Sequence, residues 1–308
     1  MTQHGWPGGE MKRLTAVILT IASVSANAAG LQYALTDLGT LGGDWSRASG
    51  ISSNGLVAGA SSDGSSNRAY RYDGSGLQNL GTLPGGSSSA NAVNSSGQVT
   101  GISYSAPISG SIRERAFIYS NGVMTDLGTL GTGWWSRGKD INDNGVVVGS
   151  SATAAQSYQR AFLYENGVMI DLGSLNNTDL SGAEGISNSG LVTGWSRTDN
   201  NPSNPVVHAF IYDGSTMSDL GTLAGGDFSW GYDVNDIGQV TGEASTAAGD
   251  DHAFLYADGA MLDLGTLGGS RSRGFGIDSN GNVVGEAANA DGFLRAFLYA
   301  DGTMHDLN

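Results

Sequence analysis

His252 stands beside Asp250 and Asp251, an imidazole flanked by carboxylates that would raise its proton affinity, and is the candidate general base of this chain. A second chemistry is suggested by Asp140-Ile141-Asn142-Asp143-Asn144-Gly145, which has oxygen ligands at positions one, three and five before a glycine. This matches the first half of a calcium loop of the EF-hand kind. The second half does not match, since Ser151 occupies the place of the closing Glu and the related Asp233 to Gly238 stretch has Ile237 at its fifth position. Asn and Asp are also what a tight turn demands at such a place, so both readings stand. A third chemistry lies in rings set beside charged groups: Asp44, Trp45 and Arg47; Trp134, Trp135 and Arg137; Asp227, Phe228 and Trp230; Arg271 and Arg273. Flat aromatic faces next to guanidinium and carboxylate groups suit a sugar or a ring-bearing small molecule, and large aromatics also serve as wedges between packed sheets. A Gly-x-Ser-x-Gly elbow and cysteine are both absent from the sequence, which excludes a serine esterase of the α/β class and a cysteine nucleophile.

The elements that carry these residues are repeats. The phrase Asp37-Leu38-Gly39-Thr40-Leu41-Gly42-Gly43 returns, edited, at residues 79, 126, 171, 219 and 263, and Asp306-Leu307-Asn308 closes the chain. A period of about 45 residues belongs to stacked or radially arranged supersecondary units. Each unit holds two further landmarks. The first is an apolar residue followed by Gly, Val and Gly, as in Ile51, Gly55, Val57 and Gly59, and it recurs from Val93, Ile141, Ile186, Val234 and Ile277. The second is Arg or His, Ala, an aromatic, any residue and Tyr before Asn-Gly or Asp-Gly, as in Arg115 to Gly122. Both places read as tight hairpins between alternating runs.

Four strands per unit follow, named A to D here, with A near Ile51, B near Val57, C near Tyr70, and D ending in the next Asp/Asn-Leu-Gly. Gly makes up 50 of 308 residues and the apolar period is two, so the chain reads as all-β. Six four-stranded repeats of about 45 residues predict a six-bladed β-propeller, whose closure leaves only short, protected edges. A linear β-solenoid is the alternative, but its coils are shorter and it calls for atypical terminal caps. A surplus D-type strand, Tyr33 to Gly39, precedes the first unit and is a candidate to complete a blade begun at the other end of the chain, with Thr303 to Asn308 either pairing there or remaining outermost.

Upstream, Lys12-Arg13, the apolar run Leu14 to Val24 and the small residues Ser25 to Ala29 form the three parts of a secretory signal peptide. Met1 to Glu10 read as a leader ahead of it, giving residues 1–28 as leader and signal and 29–308 as one repeat domain. The apolar run is too short to span a bilayer, and no membrane anchor is expected. The chain is thus expected to be exported, to the periplasm or outside the cell. The formal net charge is −15, and Lys139 is the only lysine beyond the signal. Such a field repels nucleic acid and anionic membranes and attracts cations.

The Asp-Leu-Gly-Thr-Leu-Gly-Gly phrase, the hairpin signature and the triplets His208-Ala209-Phe210 and His252-Ala253-Phe254 resemble the extracellular HAF-repeat family of bacteria, over residues 37 to 308. Four units depart from its name, with Arg68, Arg115, Arg160 and Arg295 in place of His, so the position reads as one of packing rather than catalysis. The resemblance implies export and repetition, and no catalytic set.

Two functions remain open on these grounds. One is an exported binding propeller taking a glycan, small ligand or protein on the face of the D–A and B–C loops, through Trp45, Arg47, Trp134, Trp135, Arg137, Phe228, Trp230 and Arg273. The other is a calcium-dependent lactone or ester hydrolase, by analogy of fold, with Ca2+ held in the channel by Asn94, Asp140, Glu184, Asp233 and Asp278, apart from the hairpin calcium loop that Asp140 and Asn142 begin. The polar A-strand residues among them are expected to alternate with the apolar ones and face the channel, or else to be turn-formers.

Overall fold

A computed structural model of the chain describes residues 17–21, 33–105, 113–153, 158–199, 201 and 205–307. Most of the expected leader and signal, and parts of the long B–C loops, lie outside the described residues. Six four-stranded antiparallel sheets follow one another in chain order, each made of four consecutive strands. The A strands are Ser46–Ile51, Ser88–Val93, Ser136–Ile141, Ser181–Ile186, Ser229–Val234 and Gly268–Ile277. All six A–B hairpins line one opening, as in a ring of blades around a channel. The protein is a six-bladed β-propeller.

The surplus strand does not complete the last blade, and the chain's own final strand stays outermost. Tyr33–Asp37 pairs antiparallel with Val17–Ile21, and the sixth blade takes its outermost strand from its own Thr303–Asp306. Among the described residues no strand is exchanged between the two ends of the ring.

The repeated phrase is the corner between blades. Its Asp accepts the N–H of the glycine two residues on, as Asp126 does from Gly128 at 2.8 Å, and that glycine has φ +77°, a conformation open to Gly at little cost. The following Ser136 hydroxyl donates to the Gly128 carbonyl and accepts the N–H of Ala116 in the preceding blade, at 2.9 Å. The same serine bridge recurs at Ser88, Ser181, Ser229 and Ser272. Tyr70, Phe117, Phe162, Phe210, Phe254 and Phe297, the aromatics of the second landmark, are fully buried. The five phenylalanines each face the blade before them: Ala58, Ala69 and Leu80 of blade 1 share an apolar cluster with Val99 and Phe117 of blade 2, and four more clusters repeat this at the next boundaries.

The two hairpins use different turns. C–D turns such as Asn121-Gly122 place both residues at positive φ, the two-residue form. The A–B turn is wider: Gly145 N–H donates to the Asn142 carbonyl, Asn142 N–H to the Val146 carbonyl, and Gly145 alone is at positive φ.

Every A strand also carries a β-bulge at the same place, between Ala48 and Gly50, Ala90 and Ala92, Gly138 and Asp140, Ala183 and Gly185, Gly231 and Asp233, and Gly274 and Gly276. A bulge inserts one unpaired residue and bends the strand. The six inserted residues decide what faces the channel.

Candidate ligand site in the central channel

Counting from the bulge, the A strands form three levels. The inserted residues are Ser49, Asn91, Lys139, Glu184, Tyr232 and Phe275. Next come Gly50, Ala92, Asp140, Gly185, Asp233 and Gly276, and beyond the apolar residue come the hairpin caps Ser52, Asn94, Asn142, Ser187, Asn235 and Asp278. The candidate acids and amides are therefore spread over three levels. Asn94 and Asp278 are caps, Asp140 and Asp233 lie in the middle, and Glu184 is an inserted residue. One extra residue per strand changes the face on which each side chain emerges.

The middle level is a set of clasps between blades. Asp140 accepts the N–H of Ile141 at 2.8 Å with one carboxylate oxygen and that of Ile186 in the next blade at 2.9 Å with the other. Asp233 does the same with Val234 and Ile277, at 2.8 and 2.9 Å. The neighbouring positions are Gly185 and Gly276. A Cβ on Gly185 would lie 2.8 Å from the Tyr232 carbonyl and 3.0 Å from the Asp233 Cα, so the close approach of the blades requires glycine there. Burial pushes the Asp140 carboxyl above its ordinary range. Burial and the nearby charge of Asp140 push Asp233 up to about 7.

These residues do not fit a calcium site. Both oxygens of Asp140 and of Asp233 are taken by backbone N–H groups, Asn94, Asn142 and Asp278 cap their own hairpins, and Glu184 holds Lys139 at 2.7 Å. Among the described residues no three carboxylate or imidazole groups converge.

The channel widens at both ends. At the A–B end a cavity of about 610 Å³ is rimmed by hairpin polar groups such as Ser95, Asp143, Asn188 and Asp236. They bind one another from blade to blade, Asp143 accepting from Ser95 N–H and Asp236 from Ser189 N–H, both at 2.8 Å. At the opposite end a cavity of about 620 Å³ is lined by Trp45, Arg47, Asn91, Glu184, Tyr232 and Phe275 with smaller residues between them.

An aromatic row and a buried acid stand behind that second cavity. Trp195 and Trp230 stack with centroids 4.8 Å apart, Tyr232 follows at 6.4 Å from Trp230, and Phe275 at 5.8 Å from Tyr232. Phe228 flanks Trp230 at 6.4 Å. Glu243, 6% exposed, accepts the Tyr232 hydroxyl at 2.5 Å and Arg273 Nε at 2.6 Å. This network joins blades 5 and 6. Burial and the Glu243 carboxylate raise the Tyr232 phenol, and the hydrogen bond to Glu243 raises Arg273.

Of the residues singled out in the sequence, Trp45 and Arg47 line this cavity and Phe228, Trp230 and Arg273 belong to the network behind it. Trp134, Trp135 and Arg137 stand apart from it. Arg113 lies over the Trp134 ring at 4.9 Å, and Arg137 lies over Trp135 at 5.1 Å while bound to Glu114. His252 is held by Asp263 at 2.9 Å, not by Asp250 or Asp251, and His208 holds Asp219 in the same way. Since Asp263 also caps Gly265 N–H and Arg115 meets Asp126 at the equivalent place, the His/Arg position ties strand C to the corner. Tyr232, Phe275, Glu184 and Asn91 reach the cavity because of the bulge, and Trp195 and Glu243 occupy one position of strand B. Their signal in the sequence is positional: chemically different residues at a single place in a repeat whose other places are nearly constant.

Over residues 84–180 the chain is similar to a family described as "Protein of unknown function (DUF3466)". No curated protein matches it. Among solved structures, the β-propeller domain of the Trilobed protease from Pyrococcus furiosus, for which an open velcro topology is described, superposes with a TM-score of 0.58 at 12% identity. The match covers 91% of this chain and 84% of that one. Acylaminoacyl peptidase from Pyrococcus horikoshii gives 0.57 at 12% identity over 92% of this chain and 47% of that one. Likeness at this identity shows the β-propeller fold alone.

Proposed function

We propose that this chain is an exported binding propeller that takes a ring-bearing, hydroxyl-rich small molecule, of glycan type, at the D–A and B–C end of its channel. The observation that carries the reading is the composition of the 620 Å³ cavity: Trp45, Tyr232 and Phe275 offer ring faces, and Arg47, Asn91 and Glu184 offer donors and acceptors among them. Pockets of this size with aromatic walls and a few placed polar groups are where small ligands bind. Stacking needs a flat apolar face, which a pyranose ring presents, and its hydroxyls suit amide, carboxylate and guanidinium partners. Signal-like residues 12–29 support export.

Calorimetric titration of a panel of mono- and oligosaccharides tests this. Binding of one class, weakened about fivefold or more by Phe275→Ala or Trp45→Ala, is expected, since loss of one stacking face removes on the order of 1 kcal/mol or more. Phe275 is 48% exposed, so its replacement leaves the core intact. Absence of binding across the panel would reject the glycan class.

A further inference from the structure

Five of the six blade boundaries are closed and the sixth is not. Buried apolar clusters join blades 1 and 2, 2 and 3, 3 and 4, 4 and 5, and 5 and 6. The cluster on the remaining face of blade 1 contains Leu38, Val57 and Tyr70, with Leu41, Ala48, Tyr72 and Leu77 beside it, and nothing from blade 6. Exposure marks the same place. Val284 of blade 6 is 44% exposed where its equivalents Val148 and Thr241 are buried, and Ile51 of blade 1 is 59% exposed where Val93 and Ile141 are buried.

The two unjoined faces are halves of the interface that the molecule makes elsewhere. At the boundary of blades 3 and 4, Val148 packs with Ala183, and the residues at those positions across the seam are Val284 and Ala48. At the boundary of blades 5 and 6, Glu243 binds Arg273, and the residues at those positions across the seam are Glu286 and Arg47. The match in kind and in register at two separate positions is what a chain needs to close on itself. Arg47 is exposed and has no ion pair among the described residues, and Glu286 has only Arg273 of its own blade, at 3.8 Å.

We propose that the seam is a latch: the last blade closes on the first through Val284 against Ala48 and Glu286 with Arg47, so that the protein alternates between this open ring and a continuous one. Burial of the apolar face drives closure. An ion pair at an exposed position adds little, which keeps the latch reversible. Trp45 and Arg47 lie on one side of the seam and Phe275 on the other, so closing it also sets the entrance of the channel cavity. That last consequence alone rests on the cavity being the ligand site.

The chain has no cysteine, so a disulfide placed across the seam reports on it directly. In the full chain, Ala48→Cys with Val284→Cys is oxidised without ligand and compared with Val148→Cys with Ala183→Cys, which sets the yield for a boundary already formed. Single-cysteine variants, checked by melting temperature, control for folding. An intramolecular cross-link approaching that yield is expected, slowed severalfold by Arg47→Glu or by Glu286→Arg and restored when both are present. Free thiols after oxidation would overturn the latch, and cross-linked dimers would overturn it in favour of a second copy on these faces. Neither result depends on whether a glycan binds.

Discussion

Asp233 reaches across a blade boundary to accept the backbone N–H of Ile277 at 2.9 Å, and it does so with a carboxyl whose pKa is pushed up to about 7 by burial and by the charge of Asp140. The unfolded chain would release that proton near the ordinary aspartate value, about 4. Between these values the folded state binds more protons than the unfolded one, so this group makes stability fall as pH rises from about 4 to 7. Other aspartates act in the opposite sense. Asp219 is the example: burial raises its carboxyl, but the hydrogen bonds from His208 and Gly221 bring it below the ordinary value, and its contribution is lost only at acid pH, as pH falls through that lowered value. Melting temperature measured from pH 5 to 8 is therefore expected to fall in the wild type and to be flatter in Asp233→Asn, which keeps an acceptor oxygen and carries no charge. Equal slopes for the two proteins would show that Asp233 does not titrate in this window.

The glycine of strand B answers to the bulge opposite it. A Cβ on Gly242 would lie 1.8 Å from the Trp230 carbonyl and 2.9 Å from the Phe254 ring, and Gly59, Gly101, Gly149, Gly194 and Gly285 face equivalent carbonyls at 1.8–2.1 Å. Gly242→Ala must therefore move backbone or a buried ring. Overpacking of this kind costs about 1–3 kcal/mol and occasionally more. Gly259→Ala is a contrasting control, because nothing lies within 4 Å of its Cβ and its cost comes only from φ +80°. Chemical denaturation is expected to rank Gly242→Ala well below Gly259→Ala.

Much of this fold is legible in the sequence because the repeat is written in turn chemistry. Asp126, Gly128, Asn121-Gly122 and Gly145 each stand where a corner or hairpin needs that residue, so blade number, strand order and boundaries follow from their spacing. What the sequence hides is the bulge. It has no signature of its own, since Ser49, Asn91, Lys139, Glu184, Tyr232 and Phe275 share nothing but position, and without it the faces of the A strands are read one residue out of register. Asp140 and Glu184 were thus legible as channel residues but not as residues of different levels. Trp45 and Arg47, singled out because they flank a corner, do line the cavity. Glu243 was not, for its burial depends on partners one strand and one blade away.

Ser136 is a junction of two blades in one hydroxyl. It donates to the Gly128 carbonyl and accepts the buried N–H of Ala116, which has no other route to a partner once blade 3 covers it. Removing one partner so that a buried N–H is left unsatisfied costs about 1–3 kcal/mol. Ser136→Ala is expected to lose that amount in denaturant unfolding, whereas Ser136→Thr, which retains the hydroxyl, loses less. The Ala116 amide would also exchange with solvent faster in Ser136→Ala, and unchanged protection there would mean the bond contributes nothing to the boundary.

The two readings of His252 separate on one substitution. Its imidazole is turned to Asp263, which also caps the Gly265 N–H at the corner, and at the same place in blade 2 the pair is Arg115 with Asp126. Since a guanidinium there does the same work of holding the corner aspartate to strand C, His252→Arg is expected to leave melting temperature and ligand binding close to those of the wild type. His252→Ala removes the imidazole that holds Asp263 to that strand, and for a partly exposed pair the loss is small, about 0–1 kcal/mol. A general base would behave otherwise: an arginine cannot take up a proton at neutral pH, so any lactone or ester hydrolysis routed through His252 would disappear in His252→Arg while the fold remained. Hydrolysis that survives the arginine variant, or none in either protein, assigns the residue to the corner.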